Sequence, residues 1–382
     1  MHVLVSREQL ARGIQAVTRA VSIRGPLPIL SHIKLVADPD APVTDPHGGT
    51  SKGALILTAT DLEIGLEARV MADVRVPGAI ALAAKTLGDI VTKLPAAEVE
   101  IKKPDGSNEI TLRCQRAKFT LRGLSAQEFP ELPMPSEDAT PVALETAELS
   151  RSIRQTLYAA AGEDKAVISG ILTELAEGKL ELAATDGFRL AWRQATSQGA
   201  DAKMSLVVPR RTMDELSRQL TASGAGQVQI RSAQNQVVFQ MPDRYMTSRL
   251  VDGTYPNYRQ IIPQAFEREA KLDRASFLAA VERVSIMALD REAHTIKLEF
   301  KSGELLLMAQ SSEVGDSDEV LPIEFSGEPI TISFNATFVI DALKNVDAET
   351  VRFSMNAPLL PALLRPEHSD DQICLLMPVN RG

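Results

Sequence analysis

The sequence predicts an α+β fold in which one domain plan, two helices packed on an antiparallel sheet, is used three times. Three observations carry that prediction. The chain has 382 residues, 44% of them hydrophobic, which is too long for one ordinary core and ample for a core in each of two or three domains. The stretches LTATDLEIGLEARV, from Leu57, and LAATDGFRLAWRQA, from Leu182, each read as an apolar strand, a tight Thr-Asp turn and a returning strand, 125 residues apart. One third of the chain separates them, so a third copy is due near residue 307, where LMAQSSEVGDSDEV supplies an ingoing strand over 307–309 and a more acidic return.

The first helix of each third follows a polar residue suited to an N-cap, namely Ser6, Thr146 and Asp273. The apolar residues behind them recur at helical spacing: Leu10, Ile14 and Val17; Leu149, Ile153 and Leu157; Phe277, Val281 and Val284. A second helix per third is read from ALAAKTLGDIVTKL at 81–94, VVPRRTMDELSRQL at 207–220 and SFNATFVIDALKNV at 333–346, each 126 residues from the last. Their apolar sets are Leu87, Ile90 and Leu94; Met213, Leu216 and Leu220; Val339, Ala342 and Val346. Between helices the chain alternates apolar and polar in period two, as in HIKLVAD, LILTAT, NEITLRC, KLELAAT, QVVFQM and TIKLEF, the pattern of half-buried antiparallel strands. Proline-rich joints, EFPELPMPSEDATP and TYPNYRQIIPQ, divide the chain into domains over 1–134, 135–264 and 265–382. The stretch ADPDAPVTDPHGGTSKG at 37–53 interrupts the pattern, and its Pro, Asp and Gly content predicts a mobile surface insertion.

Composition and motifs narrow the function. Two cysteines, Cys114 and Cys374, make neither a disulfide framework nor a metal cluster and suit a reducing cytoplasm. No apolar run approaches a membrane span, so a soluble intracellular protein is expected. His2, His32, His47, His294 and His368 lack ligand spacing, and no phosphate-binding glycine loop or nucleophile elbow occurs, so neither metal nor cofactor is expected. A hydrolase using Asp61 and Asp186 is the enzymatic alternative. A Thr-Asp hairpin turn, in which the carboxylate caps backbone N–H groups, explains both residues without chemistry.

Net charge is −9, against a simple nucleic-acid binder, yet basic residues recur on the helices. The first helices carry Arg7, Arg12 and Arg19, then Arg151 and Arg154, then Arg274 and Arg283; the second carry Lys85, Lys93, Arg210, Arg211, Arg218 and Lys344. If these helices share one side, an acidic protein acquires a locally basic surface that meets phosphates without reading bases. Of these, Arg7, Arg12, Lys85, Arg151, Arg154, Arg210, Arg211 and Arg274, together with Lys165, are the candidate DNA contacts.

From MHVLVSREQL to LLMPVNRG the chain resembles the bacterial DNA polymerase III beta subunits, the replicative sliding clamps. The segments RGPLPILSHIKL, LTATDLEIGLEARV, GLSAQEFPELP, ATDGFRLA, LVDGTYPNYRQIIP, FNATFVIDALKN and the terminal MPV carry the likeness by their order and spacing. The resemblance implies three DNA-clamp domains per chain and a head-to-tail homodimer. That dimer would form a pseudo-six-fold ring with a basic channel around duplex DNA. The resemblance implies a processivity factor, not an enzyme. Its partners would be the DNA polymerase III catalytic subunit, an ATP-driven clamp loader, and other polymerases and repair proteins.

The same resemblance implies sites. Arg24 matches a family arginine that contacts DNA. Partner peptides would enter a hydrophobic cleft built from Ile168, Thr185, Gly187, Phe188, Arg189, Leu190, Pro256, Gln260 and Ile261. Its C-terminal wall would be Leu359, Pro361, Leu375, Met377, Pro378 and Val379. Phe188 stands where the family often has His, and Gln260 where it often has Arg. The dimer seam would join Phe119 and Leu121, with Ile90 nearby, to Ile286 and Met287. A monomeric, non-ring binding module is the other alternative.

Overall fold

A computed structural model describes residues 1–22, 25–44, 50–133, 141–197, 203–224, 226–233, 235–288, 294–311 and 315–380. Among the described residues the six α-helices are α1 Arg7–Val17, α2 Ala84–Lys93, α3 Thr146–Leu157, α4 Arg210–Ser223, α5 Arg274–Val284 and α6 Ala336–Lys344. They fall where the periodicity places them, two in each third. Ser6 caps α1 by accepting from the Gln9 N–H at 3.1 Å, and Asp273 caps α5 by accepting from Ser276 at 2.7 Å. The Thr146 hydroxyl donates to the Gly224 carbonyl at 3.0 Å, tying the start of α3 to the end of α4. The apolar stripe of α2 is Ala84, Leu87 and Val91, which leaves Ile90 half-buried beside it.

All strand pairs are antiparallel and, among the described residues, make four sheets of five, eight, nine and four strands. The chain packs as two compact units, one of Met1–Ser150 with Asp214–Leu250 and one of Arg151–Met213 with Val251–Gly382. Two units arise from three repeats because the middle third is shared. Its strand Arg244–Arg249 pairs with Ile64–Met71 of the first third, Met246 opposite Leu66, and so completes the eight-stranded sheet of the first unit. Its strand Arg189–Thr196 pairs with Gln372–Leu376 of the last third, Leu190 opposite Leu375, and joins the nine-stranded sheet of the second unit. In the second unit α5 and α6 close over a core centred on Phe277, Phe300, Phe334 and Phe353, all at most 1% exposed.

The segment 37–53 departs from expectation. Strands His32–Thr44 and Thr50–Thr60 continue through it as a long hairpin, Val43 opposite Ser51, with a register shift between Asp38 and Pro42 that accommodates the prolines. Ala41, Val43 and Ala54 form a small buried cluster there, so alternation outweighs turn-rich composition. The remaining residues of that segment, 45–49, lie outside the described residues.

The Thr-Asp turn is built alike both times. The Thr60 hydroxyl donates to the Ile64 carbonyl at 2.9 Å, and Asp61 Oδ1 accepts from the N–H groups of Glu63 and Ile64 at 3.0 and 2.8 Å. Thr185 donates to the Arg189 carbonyl at 2.6 Å, and Asp186 Oδ1 accepts from Phe188 and Arg189 at 2.9 and 3.0 Å. The residue after Asp adopts φ +78° as Leu62 and +93° as Gly187. A side chain in this left-handed region costs about 1–2 kcal/mol, of which glycine's extra chain entropy offsets about 0.5–1. Leu62 is 44% exposed, so little burial is lost on its removal. Leu62→Gly is therefore expected to raise unfolding stability by up to about 1 kcal/mol in urea titration, whereas Leu62→Ala, which keeps Cβ, should not.

Candidate functional site

The second Thr-Asp turn is the centre of the candidate cleft. Strand alternation sends Phe188 out and Arg189 in, so Phe188 is 65% exposed while the Arg189 side chain is 12% exposed. The Phe188 backbone is held on both sides: its N–H by Asp186, its carbonyl by the Met377 N–H at 2.9 Å. Inside, every nitrogen of the Arg189 guanidinium has a partner. Nε donates to Asp186 at 2.9 Å, one terminal nitrogen to Asp341 at 2.6 Å, and the other to the Tyr158 carbonyl at 2.8 Å. The guanidinium lies 4.4 Å from the centre of the Phe338 ring, and the Tyr158 hydroxyl donates to Cys374 Sγ at 3.0 Å. Burial pushes the Cys374 thiol up to about 11, so it stays neutral within this frame.

The strand that follows the turn contributes to a buried apolar cluster. Leu190 and Leu375 are 1% exposed and pack with Leu172, Tyr255 and Tyr258 in one cluster, against which Ile168 and Met377 lie half-buried. Thr185 spends its hydroxyl within the turn. Of the sequence candidates, Phe188, Ile261 and Leu359 are exposed and Pro361, Met377, Pro378 and Val379 half-buried; Leu360, next to Leu359 in the chain, is 49% exposed. At Gly187 a Cβ would meet no heavy atom within 4 Å, so the backbone is open to close approach. Pro256, Gln260 and Ile261 lie on the exposed side of the segment that buried Tyr258 anchors, through its hydroxyl bond to Glu181 at 3.3 Å. Arg259 adds ion pairs of 2.8 Å to Glu174 and 2.6 Å to Glu181. Burial opposes charge on Glu181, but bonds from Trp192, Arg259 and Gln194 outweigh it and hold the carboxyl below its usual range.

The basic helix residues separate into classes that sequence does not distinguish. Arg7 donates to the carbonyls of Val91 and Thr92 at 3.1 and 2.8 Å, closing the C-terminus of α2. Arg274 does the same for α6, to Ala348 and Leu343 at 2.8 and 3.3 Å. Both arginines donate to carbonyls at or just beyond a helix end, at equivalent places in two repeats, and keep their positive charge. Arg210 donates to the Ala160 carbonyl at 3.2 Å and Arg12 to Gln9 at 2.8 Å. Arg151 and Arg154 both face Asp347, which accepts from Arg154, so that pair presents reduced net charge. Lys85, Arg151, Arg154, Lys165, Arg210 and Arg211 are all exposed; Arg24 lies outside the described residues.

Two sheet edges complete the picture. Strand Ala117–Arg122 ends the five-stranded sheet, with Phe119 and Leu121 on the face of Leu112 and Ile110 and with Lys118, Thr120 and Arg122 exposed on the other. Strand Gly315–Pro322 ends the four-stranded sheet and exposes Asp316, Asp318 and Val320. In the same unit Ile286 is 65% exposed, whereas Met287 packs half-buried against the core. Neither charged row was among the sequence candidates, because the alternation of a six-residue strand does not say that it stands at an edge.

Family models of the DNA polymerase III beta subunit match in tandem: the N-terminal domain over 1–133, the central domain over 143–257 and the C-terminal domain over 259–380. The beta sliding clamp of Synechococcus elongatus is 34% identical over 386 residues, covering 99% of each chain, and that of Bacillus subtilis is 31% identical over 391 residues, also covering 99% of each. Among solved structures, the Bacillus subtilis DNA polymerase sliding clamp superposes with TM-score 0.92 at 30% identity over 100% of both chains. A Pseudomonas aeruginosa sliding clamp bound to griselimycin superposes with TM-score 0.90 at 29% identity over 100% of both. With its repeats, its tandem domain matches and its full-length relatives in agreement, the chain belongs to the DNA polymerase III beta subunit family, the beta sliding clamps.

Proposed function

We propose that two copies of this chain close head to tail into a ring around duplex DNA, and that the ring slides and tethers the replicative polymerase through the cleft around Phe188. The observation that supports closure is the pair of open edges, one lined by Lys118 and Arg122 and one by Asp316 and Asp318. Joined between copies, the five- and four-stranded sheets would make nine strands, the number already present in the second unit. An open apolar edge is an aggregation hazard until it is paired, and opposite charges select this pairing over self-pairing.

The ring acts by topology, not by chemistry. Asp61 and Asp186, the carboxylates that motivated a hydrolase, hold backbone N–H groups in turns. Arg7, Arg12, Arg24, Lys85, Arg151, Arg154, Lys165, Arg210, Arg211 and Arg274 are the DNA contacts of this reading: backbone-directed, they give weak salt-sensitive binding that permits sliding. The cleft converts rebinding of a detached polymerase into a local event, which is what processivity requires. The same cleft takes short peptide segments of the clamp loader, other polymerases and repair proteins, and griselimycin as well. An ATP-driven loader acting in trans opens the ring. The protein works in the cytoplasm, on the nucleoid.

The test is retention on nicked circular DNA after loader treatment, compared with the same DNA linearised. Slow loss from circles and rapid loss from linear ends is the expected result. Equal loss from both, with a monomer in gel filtration, would replace the ring with a monomeric binding module.

A further inference from the structure

We propose that Asp341 is a positioning residue of the cleft, acting through Arg189 to set the backbone that presents Phe188 and Met377. This rests on the reading of the cleft as the ligand site. Asp341 and Phe338 stand one turn apart on α6, and between them they receive the Arg189 guanidinium by an ion pair of 2.6 Å and a ring contact of 4.4 Å. Arg189 in turn holds Asp186 by its Nε at 2.9 Å, and Asp186 holds the Phe188 N–H by its other oxygen. The chain of contacts ends at the Phe188 carbonyl, which accepts from the Met377 N–H at 2.9 Å and extends the ladder that pairs Arg189 with Leu376.

The geometry makes Asp341 more than a brace. Arg189 has no spare donor nitrogen, and with its side chain 12% exposed it has little water to replace a lost partner. Without the Asp341 carboxylate the guanidinium is drawn wholly toward Asp186, the acceptor that must keep its other oxygen on the turn. Asp341 Oδ2 is committed to Arg189, and the exposed apolar groups Phe188 and Leu359 belong to other segments of the chain.

The experiment is a double-mutant cycle read by calorimetric titration with griselimycin, with hydrogen exchange of the segment 372–380 as a second readout. Asp341→Asn is expected to weaken binding about tenfold and to speed exchange at Met377, while Asp341→Glu, which retains a carboxylate, recovers most of the affinity. The combination with Phe188→Ala is expected to bind no worse than Phe188→Ala alone, because Asp341 acts through that residue. Unchanged affinity in Asp341→Asn, or losses that simply add in the double variant, would overturn the proposal. A purely stabilising role would lower the melting temperature without that non-additivity, and this also overturns it. If wild-type protein binds no griselimycin, or Phe188→Ala leaves its binding intact, the cleft reading falls first and takes the positioning role with it.

Discussion

Replacing Lys118 and Arg122 by glutamate is expected to leave the chain monomeric at micromolar concentration and to abolish its retention on circular DNA. The two side chains stand exposed on the outer face of an edge strand whose inner face carries Phe119 and Leu121. In the proposed ring each seam sets this strand against Gly315–Pro322 of the other copy, where Asp316 and Asp318 are exposed. Like charges brought together across an interface cost several kcal/mol, and a head-to-tail dimer meets that cost at both seams. About 4 kcal/mol in total lowers dimer affinity about a thousandfold. Adding Asp316→Lys and Asp318→Lys to the same chain restores opposite charges and should restore the dimer, read by sedimentation equilibrium. Recovery separates a lost contact from a damaged fold, since two further substitutions cannot repair misfolding. A reversed chain that remained dimeric would place the seam elsewhere.

Much of this architecture is legible in the sequence because its signals are local. The helices announce themselves by apolar spacing, and the Thr-Asp turns by a hydroxyl and a carboxylate that bond within five residues of themselves. What stays hidden is non-local. Nothing in RLAWRQAT says that it will pair with QICLL rather than with another strand of its own repeat. Nothing in the first turn of α1 says that Arg7 reaches 84 residues ahead to close another helix. The cleft divides along the same line. Motif spacing finds the turn and its Phe188, but the groups that hold the turn still, the Asp341 carboxylate and the Tyr158 carbonyl, come from α6 and the end of α3, whose patterns speak only of packing. The 37–53 segment errs in the other direction: Pro, Asp and Gly suggest a loop, while Ala41 and Val43 keep strand alternation through it.

Phe353→Ala tests whether the sequence repeat or the hydrogen-bonded sheet is the unit that unfolds together. Phe353 is fully buried, with ring centres of Phe334, Phe300 and Phe277 at 5.6, 5.7 and 6.2 Å, so its loss removes one side of three aromatic contacts and opens a cavity. Truncation of such a residue costs about 3–5 kcal/mol, enough to populate unfolded forms under mild denaturant. Its strand, Thr350–Met355, is linked through Ala362–Pro366 and Gln372–Leu376 to Arg189–Thr196 of the middle repeat. Protection of amides in Lys179–Thr185 and Arg189–Thr196 should therefore fall with that of the third repeat. Amides in Gln236–Gln240 and Arg244–Arg249, also of the middle repeat, should keep theirs, because their ladder runs to Ile64–Met71. Hydrogen exchange in sub-denaturing urea distinguishes these outcomes, since it reads local opening strand by strand. If all the strands of the middle repeat held or fell as one, the repeat would be the cooperative unit, and the continuous sheets would be seams between domains. The division expected here means instead that a domain defined by sequence descent is cut through by the physics of backbone pairing. The turn that presents Phe188 then draws its stability from the third repeat's core.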